Sequence, residues 1–368
     1  MSRRHTCATT SLLSALALLA GCGDDASTPV ESAVPDLAVQ AAALATNSWT
    51  HFADLPSERR NVILAAVPKA NGNTRLFAIG GDAVAHSAKG TTFAPVTTAY
   101  EWLPGLNKWA RRADAPYLWQ YPVPPAAVIG SKVYIPAGFF KCSNCQVPRD
   151  TMAVYDASTD TWARSVLPQY ATGGVVWSFD DRLYWAGLCN DAVTGDGDMD
   201  FTYCRDTGAR TRFLLRYNPS TNVWRYLTPP PRDHADGVTG TIGGKLYVAG
   251  TGGQTDVDIY DPATDTWTSG TPLGRPRTFV GGGAVKAKLY LVGGLTVDLS
   301  PSRATNQYDP LSNSWTARAQ VPEAFAYDLG FAVRGNQGDH VRGTRIVVGG
   351  QPRLAILGGY GRHWQYVP

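Results

Sequence analysis

Charge is scarce in this chain. Charged residues make up 17 %, and Lys+Arg (33) exceed Asp+Glu (30) by only three. The basic run or basic excess with which a nucleic-acid binder neutralises phosphates is missing, so no nucleic-acid partner is expected. Long apolar runs are missing too. Ser11–Ala20 is ten residues and no later segment reaches 18, whereas a helix needs roughly 20 to cross the hydrocarbon core. Catalytic signatures are equally thin: there is no HExxH, no GxSxG and no His pair at ligand spacing. What the chain holds in quantity is glycine (38), proline (25) and aromatic side chains (11 %), the composition of many short strands and tight turns. Hydrophobics at 44 % exclude a disordered chain.

The amino terminus reads as an export signal. Arg3 and Arg4 precede the apolar run, which ends Leu19-Ala20-Gly21-Cys22. That ending resembles the lipobox of bacterial lipoproteins; the alternative is an ordinary secretory signal with an incidental Cys. The resemblance implies removal of residues 1–21 and a diacylglyceryl group on Cys22. The expected address is the bacterial cell envelope, lipid-anchored on the periplasmic side or at the cell surface, with the membrane contacted through the lipid only. Residues 22–46 are small, acidic and interrupted by Pro29 and Pro35. As a flexible tether they would span on the order of 25–30 Å.

From residue 47 onward the chain repeats itself. Tyr155-Asp-Ala-Ser-Thr-Asp-Thr-Trp162 is echoed by the octets Tyr217–Trp224, Tyr260–Trp267 and Tyr308–Trp315, with a looser copy from Tyr100 to Trp109. Strand-like runs ending in glycine precede each: RLFAIGG (75–81), KVYIPAG (132–138), RLYWAG (182–187), KLYVAG (245–250) and KLYLVGG (288–294). Tyr-Asp-Pro-x-Thr-Asp-x-Trp reads as strand, tight turn, strand, with Asp and Pro setting the turn. Trp can fill the gap between neighbouring sheets.

These features together resemble the kelch repeat, over about residue 47 to the C-terminus. The resemblance implies an all-β, six-bladed kelch-type β-propeller of four-stranded antiparallel blades over 47–368. Trp49, Trp109, Trp162, Trp224, Trp267 and Trp315 mark six fourth strands, spaced about 53 apart on average, near the roughly 50 of a kelch unit. Asn47-Ser-Trp-Thr50 repeats Asn313-Ser-Trp-Thr316 without three strands before it, and the chain ends on a third-strand-like Gln365-Tyr366-Val367. The N-terminal strand is therefore expected to complete the last blade. Between 335 and 352 two runs compete for second strand; RLAILGG (353–359) is assigned that place and RIVVGG (345–350) is left as an inserted hairpin.

Four Cys remain beyond the anchor: Cys142, Cys145, Cys189 and Cys204. An even number in an exported chain reads first as disulfides. Cys189 with Cys204 would clip a long loop and Cys142 with Cys145 a short one; four thiolates holding zinc is the alternative. Asp196, Asp198 and Asp200 are spaced to converge on a hard cation such as Ca²⁺. The match to a calcium loop then fails at Phe201 and Thr207, so a solvated acidic loop is preferred and no cofactor is expected. Gly240-Thr-Ile-Gly-Gly-Lys245 opens a strand rather than a helix and reads as a hairpin, not a phosphate loop.

In kelch propellers the loops between strands two and three share one face with the inter-blade loops. On that face the long segments Asp82–Val96, Phe139–Asp150, Leu188–Arg210 and Leu295–Thr305 are placed. The inter-blade loops supply Arg60, Trp119, Tyr121, Arg232, His234, Arg275, Arg277 and Tyr327 as ligand-binding candidates, suited to carboxylate- or sugar-bearing partners. Arg in such loops also matches a recurring kelch position that hydrogen-bonds backbone. The expected function is a binding or scaffolding module for a protein or glycan. A sugar-acid epimerase, like the kelch-type N-acetylneuraminate epimerases, is the alternative, with Glu58 or Glu323 as the buried acid facing an Arg; a purely structural envelope component is a third. The copper-radical oxidases among kelch folds need a Tyr–Cys and His set that the sequence does not assemble.

Overall fold

The computed structural model describes residues 45–118, 126–136, 151–167, 172–189, 211–234, 237–250, 253–324, 342–358 and 361–368. Among them there is no α-helix; the structure is all-β, in antiparallel sheets with one short 3-10 turn at Pro104–Leu106. Six sheets have four strands. In chain order, the first is built from Ile63–Pro68, Thr74–Ile79, Ala99–Leu103 and Lys108–Arg112, and the second from Ala127–Ile129, Lys132–Ile135, Thr151–Asp156 and Thr161–Val166. The third holds Thr172–Phe179, Arg182–Cys189, Thr211–Asn218 and Val223–Leu227, and the fourth Val238–Ile242, Lys245–Ala249, Val257–Asp261 and Thr266–Gly270. The fifth comprises Gly281–Val285, Lys288–Val292, Thr305–Asp309 and Ser314–Arg318. In the sixth, Arg342–Val348, Gln351–Gly358 and Arg362–Val367 are joined by the N-terminal strand Ser48–Phe52, in the register Trp49↔Tyr366.

Burial follows strand order. The second strands carry continuous apolar runs, as in Leu246–Ala249 and Leu289–Val292, because they are covered on both faces. Six apolar clusters lie between successive sheets. One joins the sixth sheet (Ile346, Ala355, Leu357) to the first (Leu64, Leu76, Trp102), and another joins the fifth (Val292) to the sixth (Leu354, Ile356).

At the outer margin one arrangement recurs. In each sheet an Asn or Asp two residues before the Trp takes a left-handed conformation: Asn47, Asn107, Asp160, Asn222, Asp265 and Asn313, with φ between 43° and 55°. The short polar side chain tolerates this backbone. In five sheets its Oδ1 accepts the hydroxyl of the Tyr opposite the Trp, at 2.6 Å from Tyr308 and 2.9 Å from Tyr217, for example. In five it also accepts a backbone N–H at the end of the preceding sheet's fourth strand (Ala53, Ala113, Thr228, Thr271, Ala319). The Trp indole donates to a backbone carbonyl of that same preceding sheet in all six, at 2.7 to 3.2 Å. Each seam is thus fastened by side chains reading the neighbour's backbone. The earlier Asp or Asn of the octet (Asp156, Asn218, Asp261, Asp309) instead caps the hairpin turn by accepting an N–H two residues on.

Three expectations are corrected. The looser first copy is aligned two residues off: Trp102, not Tyr100, lies opposite Trp109. RIVVGG is no insertion, because Arg342–Val348 is the first strand of the sixth sheet and Gly349-Gly350 its hairpin turn to Gln351–Gly358. Asp82–Val96 is no irregular loop: Asp82–Ser87 and Gly90–Pro95 form a hairpin, which pairs with Arg59–Arg60 as a seventh, three-stranded sheet.

Candidate functional site

This extra sheet is a ribbon standing on the first four-stranded sheet. Its register, Arg60↔Asp82 and Val84↔Phe93, puts alternate residues on one face. That face carries Glu58, Arg60, Asp82, His86, Thr91 and Phe93. Arg60 is buried and its Nε lies 3.2 Å from Asp82 Oδ2, while its guanidinium sits over the Phe93 ring at 3.4 Å from the centroid. Asn61 Nδ2 donates to the same Asp82 oxygen at 3.0 Å. Phe93 itself is 38 % exposed. Further out, His86 reaches Glu58 Oε2 through Nε2 at 2.8 Å and Thr91 Oγ1 through Nδ1 at 3.1 Å, with the His86 and Glu58 side chains about half exposed. The guanidinium, pinned by a carboxylate, holds the partly exposed ring in place as a pre-ordered contact.

The neighbouring Arg59 points to the opposite face and is structural. Its Nη1 donates to the carbonyls of Gly80 and Thr98 at 3.3 and 3.0 Å. Arg277 repeats this in the fifth sheet, donating to Gly293 O, Ala304 O and Asn306 Oδ1 at 2.7 to 2.8 Å. Burial lowers its pKa to about 10, still fully cationic at neutral pH. Its donors are spent on backbone, so Arg277 ties loop to sheet. Arg59 and Arg277 each stand ten residues beyond a seam Trp, and His234 takes the same place after Trp224. His234 is buried, with Nε2 3.2 Å from Asp258 Oδ2. Arg232 Nη1 reaches Asp256 at 2.9 Å and Asp258 at 3.5 Å.

The remaining candidates separate. Arg275 is exposed. Glu323 accepts a hydrogen bond from Trp364 Nε1 at 2.7 Å. Trp119, Tyr121, Tyr327, Cys22, Cys142, Cys145, Cys204, Asp196, Asp198 and Asp200 lie outside the described residues, and Cys189 ends the strand Arg182–Cys189 with its side chain likewise outside them. Among the described residues no group of three or more His, Cys, Asp or Glu is placed to hold a metal ion. No helix there is long and apolar enough to cross a membrane.

Sequence reasoning missed three groups. Glu101 is buried between Arg75 (Nε to Oε1 at 2.7 Å) and Arg112 (Nη2 to Oε2 at 2.6 Å), and Arg75 also donates to Ala157 O in the second sheet. Burial pushes the Glu101 carboxyl up, but the two arginines more than offset this and hold it below the usual range. A carboxylate so held is a poor proton acceptor near neutral pH; the triad fastens two sheets. His363 is fully buried among Phe52, Trp102 and Trp109, and burial lowers its pKa to about 3. Phe93 and His86 were hidden inside a segment whose alternation looked like a loop. No protein-family model matches the chain.

Proposed function

We propose that this chain is a lipid-anchored envelope lipoprotein whose six four-stranded sheets are the blades of a closed kelch-type propeller, and that it binds a protein or glycan through the ribbon face. Closure is supported by the pairing of Ser48–Phe52 with Arg362–Val367 and by the seam bonds at both ends of the chain, Trp49 Nε1 to Ala319 O and Trp109 Nε1 to Ala53 O. The lipid anchor rests on Cys22 and the residues before it. The observation that carries the binding reading is the half-exposed Phe93 ring stacked under a pinned Arg60, on a ribbon with no counterpart among the other described sheets. An aromatic face flanked by Arg60, His86 and Glu58 suits a sugar ring or an amide-rich peptide.

The epimerase alternative needs a buried acid of raised pKa beside an arginine. Glu58 is half exposed and meets His86, Glu323 meets an indole, and Glu101 is held ionised. Binding is therefore preferred over catalysis. Screening the purified protein and its Phe93→Ala variant on glycan and peptide arrays tests this reading. Ligands retained by the native protein and lost by a variant that stays folded support it; equal binding by both rules the ribbon out. Cys22→Ser should release the protein from membranes into the soluble fraction, and the four remaining cysteines should resist alkylation until reduced.

A further inference from the structure

Among the described residues the ribbon has an open side. Strand Gly90–Pro95 is the last in the order of its sheet, and its neighbour Asp82–Ser87 lies between it and Arg59–Arg60. Which of its backbone groups face outward follows from two bonds. Val96 N–H donates to Gly81 O at 2.9 Å, so that opposed pair is a bonded one. Val84 N–H is spent on Glu58 O at 3.0 Å, on the other flank, so Val84 does not bond its partner Phe93. Bonded and non-bonded pairs alternate in an antiparallel hairpin. Ala94 and Thr92 therefore close the hairpin, while Thr91 and Phe93 present N–H and C=O outward and Pro95 its C=O.

This edge is uncharged. Strands at sheet margins are commonly guarded by charge, and four of the six outer strands here carry Lys or Arg (Lys108 and Arg112, Arg164, Arg225, Arg318), Ser48–Phe52 and Thr266–Gly270 being the exceptions. Gly90-Thr-Thr-Phe-Ala-Pro95 carries none, and Thr92, Phe93 and Ala94 are exposed. Such an unguarded row of donors and acceptors is matched by the backbone of another extended chain, which supplies the same groups at the same spacing. Pro95, without an N–H, marks where pairing stops.

We propose that Gly90–Pro95 is a strand-addition site: an extended segment of a partner polypeptide pairs with Thr91 and Phe93, and one of its side chains lies on the Phe93 ring beside Arg60. The backbone bonds give the grip, and the aromatic face with the Glu58–His86 pair reads the side chains. This rests on the binding reading above and narrows its partner to a polypeptide.

The test uses the full chain in detergent. A displayed library of random linear dodecapeptides is selected on it, and the most enriched peptide is titrated by fluorescence anisotropy against the native protein and Thr91→Pro. Thr91→Pro removes an outward N–H and leaves the hairpin's backbone bonds in place; it also removes the Thr91 Oγ1 contact with His86, which Thr91→Ala removes alone and which is titrated beside it as the control. The expected result is at least a tenfold loss of affinity at unchanged Tm. If Thr91→Pro lowers Tm, the decisive arm is the same peptide with alternate backbone amides methylated, which should lose binding to the native protein equally. Peptide binding indifferent to both changes, yet lost in Phe93→Ala, overturns strand addition and leaves the ribbon's binding role standing. Glycan binding with no peptide enriched does the same. Native self-association abolished by Thr91→Pro would replace the partner by a second copy of this chain and overturn the proposal. Failure of every ligand on the arrays sinks both readings.

Discussion

The outer seams and the ribbon spend similar residues in opposite ways. Along the seams a left-handed Asn or Asp, a Trp and usually a Tyr recur in every four-stranded sheet, and their polar atoms are consumed by one another and by the neighbour's backbone. On the ribbon an Arg, an aromatic and a carboxylate meet once, and leave a partly exposed ring beside a strand edge that is unpaired among the described residues. Adjacent Arg59 and Arg60 show the contrast at a single step of the chain. Arg59 is fixed on two carbonyls, whereas Arg60 is aimed across an exposed ring. Repetition marks what holds the sheets together, and departure from it marks where a partner can be met.

The sharpest break of that contrast is Glu101→Ala. It leaves two partly buried guanidinium groups facing each other and should cost about 3 kcal/mol of stability, read by chemical denaturation, since breaking a buried ion pair by removing one member is strongly unfavourable. Asn313→Ala comes next. It strands the Tyr308 hydroxyl and the Thr271 N–H and forces Ala into φ near 48°, together about 2 kcal/mol, with Asn313→Gly recovering part of it.

Acid should act on the same framework through His363. Its folded pKa of about 3 lies below the ordinary 6.5, so the unfolded chain binds the proton first. Stability contributed by the neutral imidazole is whole above pH 6.5 and is lost as pH falls toward 3, by up to about 1.4 kcal/mol per pH unit. His363→Gln should flatten that limb of the pH–stability curve by one proton; an unchanged slope would mean that His363 does not titrate there. Least affected should be Phe93→Ala, by about 1 kcal/mol, because the ring is 38 % exposed and gives up chiefly its contact with the Arg60 guanidinium. A large loss of stability would make the ribbon part of the framework and erase the distinction.

The seams were legible because Tyr, Asp and Trp recur at fixed spacing, and the spacing alone even assigns Asn47-Ser-Trp to the sheet formed by the last strands. Where the repeat drifts, the reading slipped: Trp102 stands where the other sheets have Tyr, so the eye took Tyr100. RIVVGG misled because Ile346-Val347-Val348 is as apolar, and as glycine-bounded, as a second strand. The ribbon could not be read at all. Thr91, Thr92 and Phe93 are good strand residues, but their pairing with a two-residue strand thirty positions upstream leaves no periodic trace. The rim arginines were found by type, yet type does not say whether a guanidinium meets a carbonyl, as in Arg277, or a ring, as in Arg60.

If the sheets close into a ring, the seam joining the two ends of the chain bears the same load as an interior one. Asn47 accepts the Tyr366 hydroxyl and the Ala319 N–H as Asn313 accepts those of Tyr308 and Thr271. Equilibrium unfolding of Asn47→Ala beside Asn313→Ala measures this directly. Equal losses, each about 2 kcal/mol, are predicted. A neutral Asn47→Ala with a destabilised Asn313→Ala would show that the terminal strand is an ornament and that the sheets do not close through it.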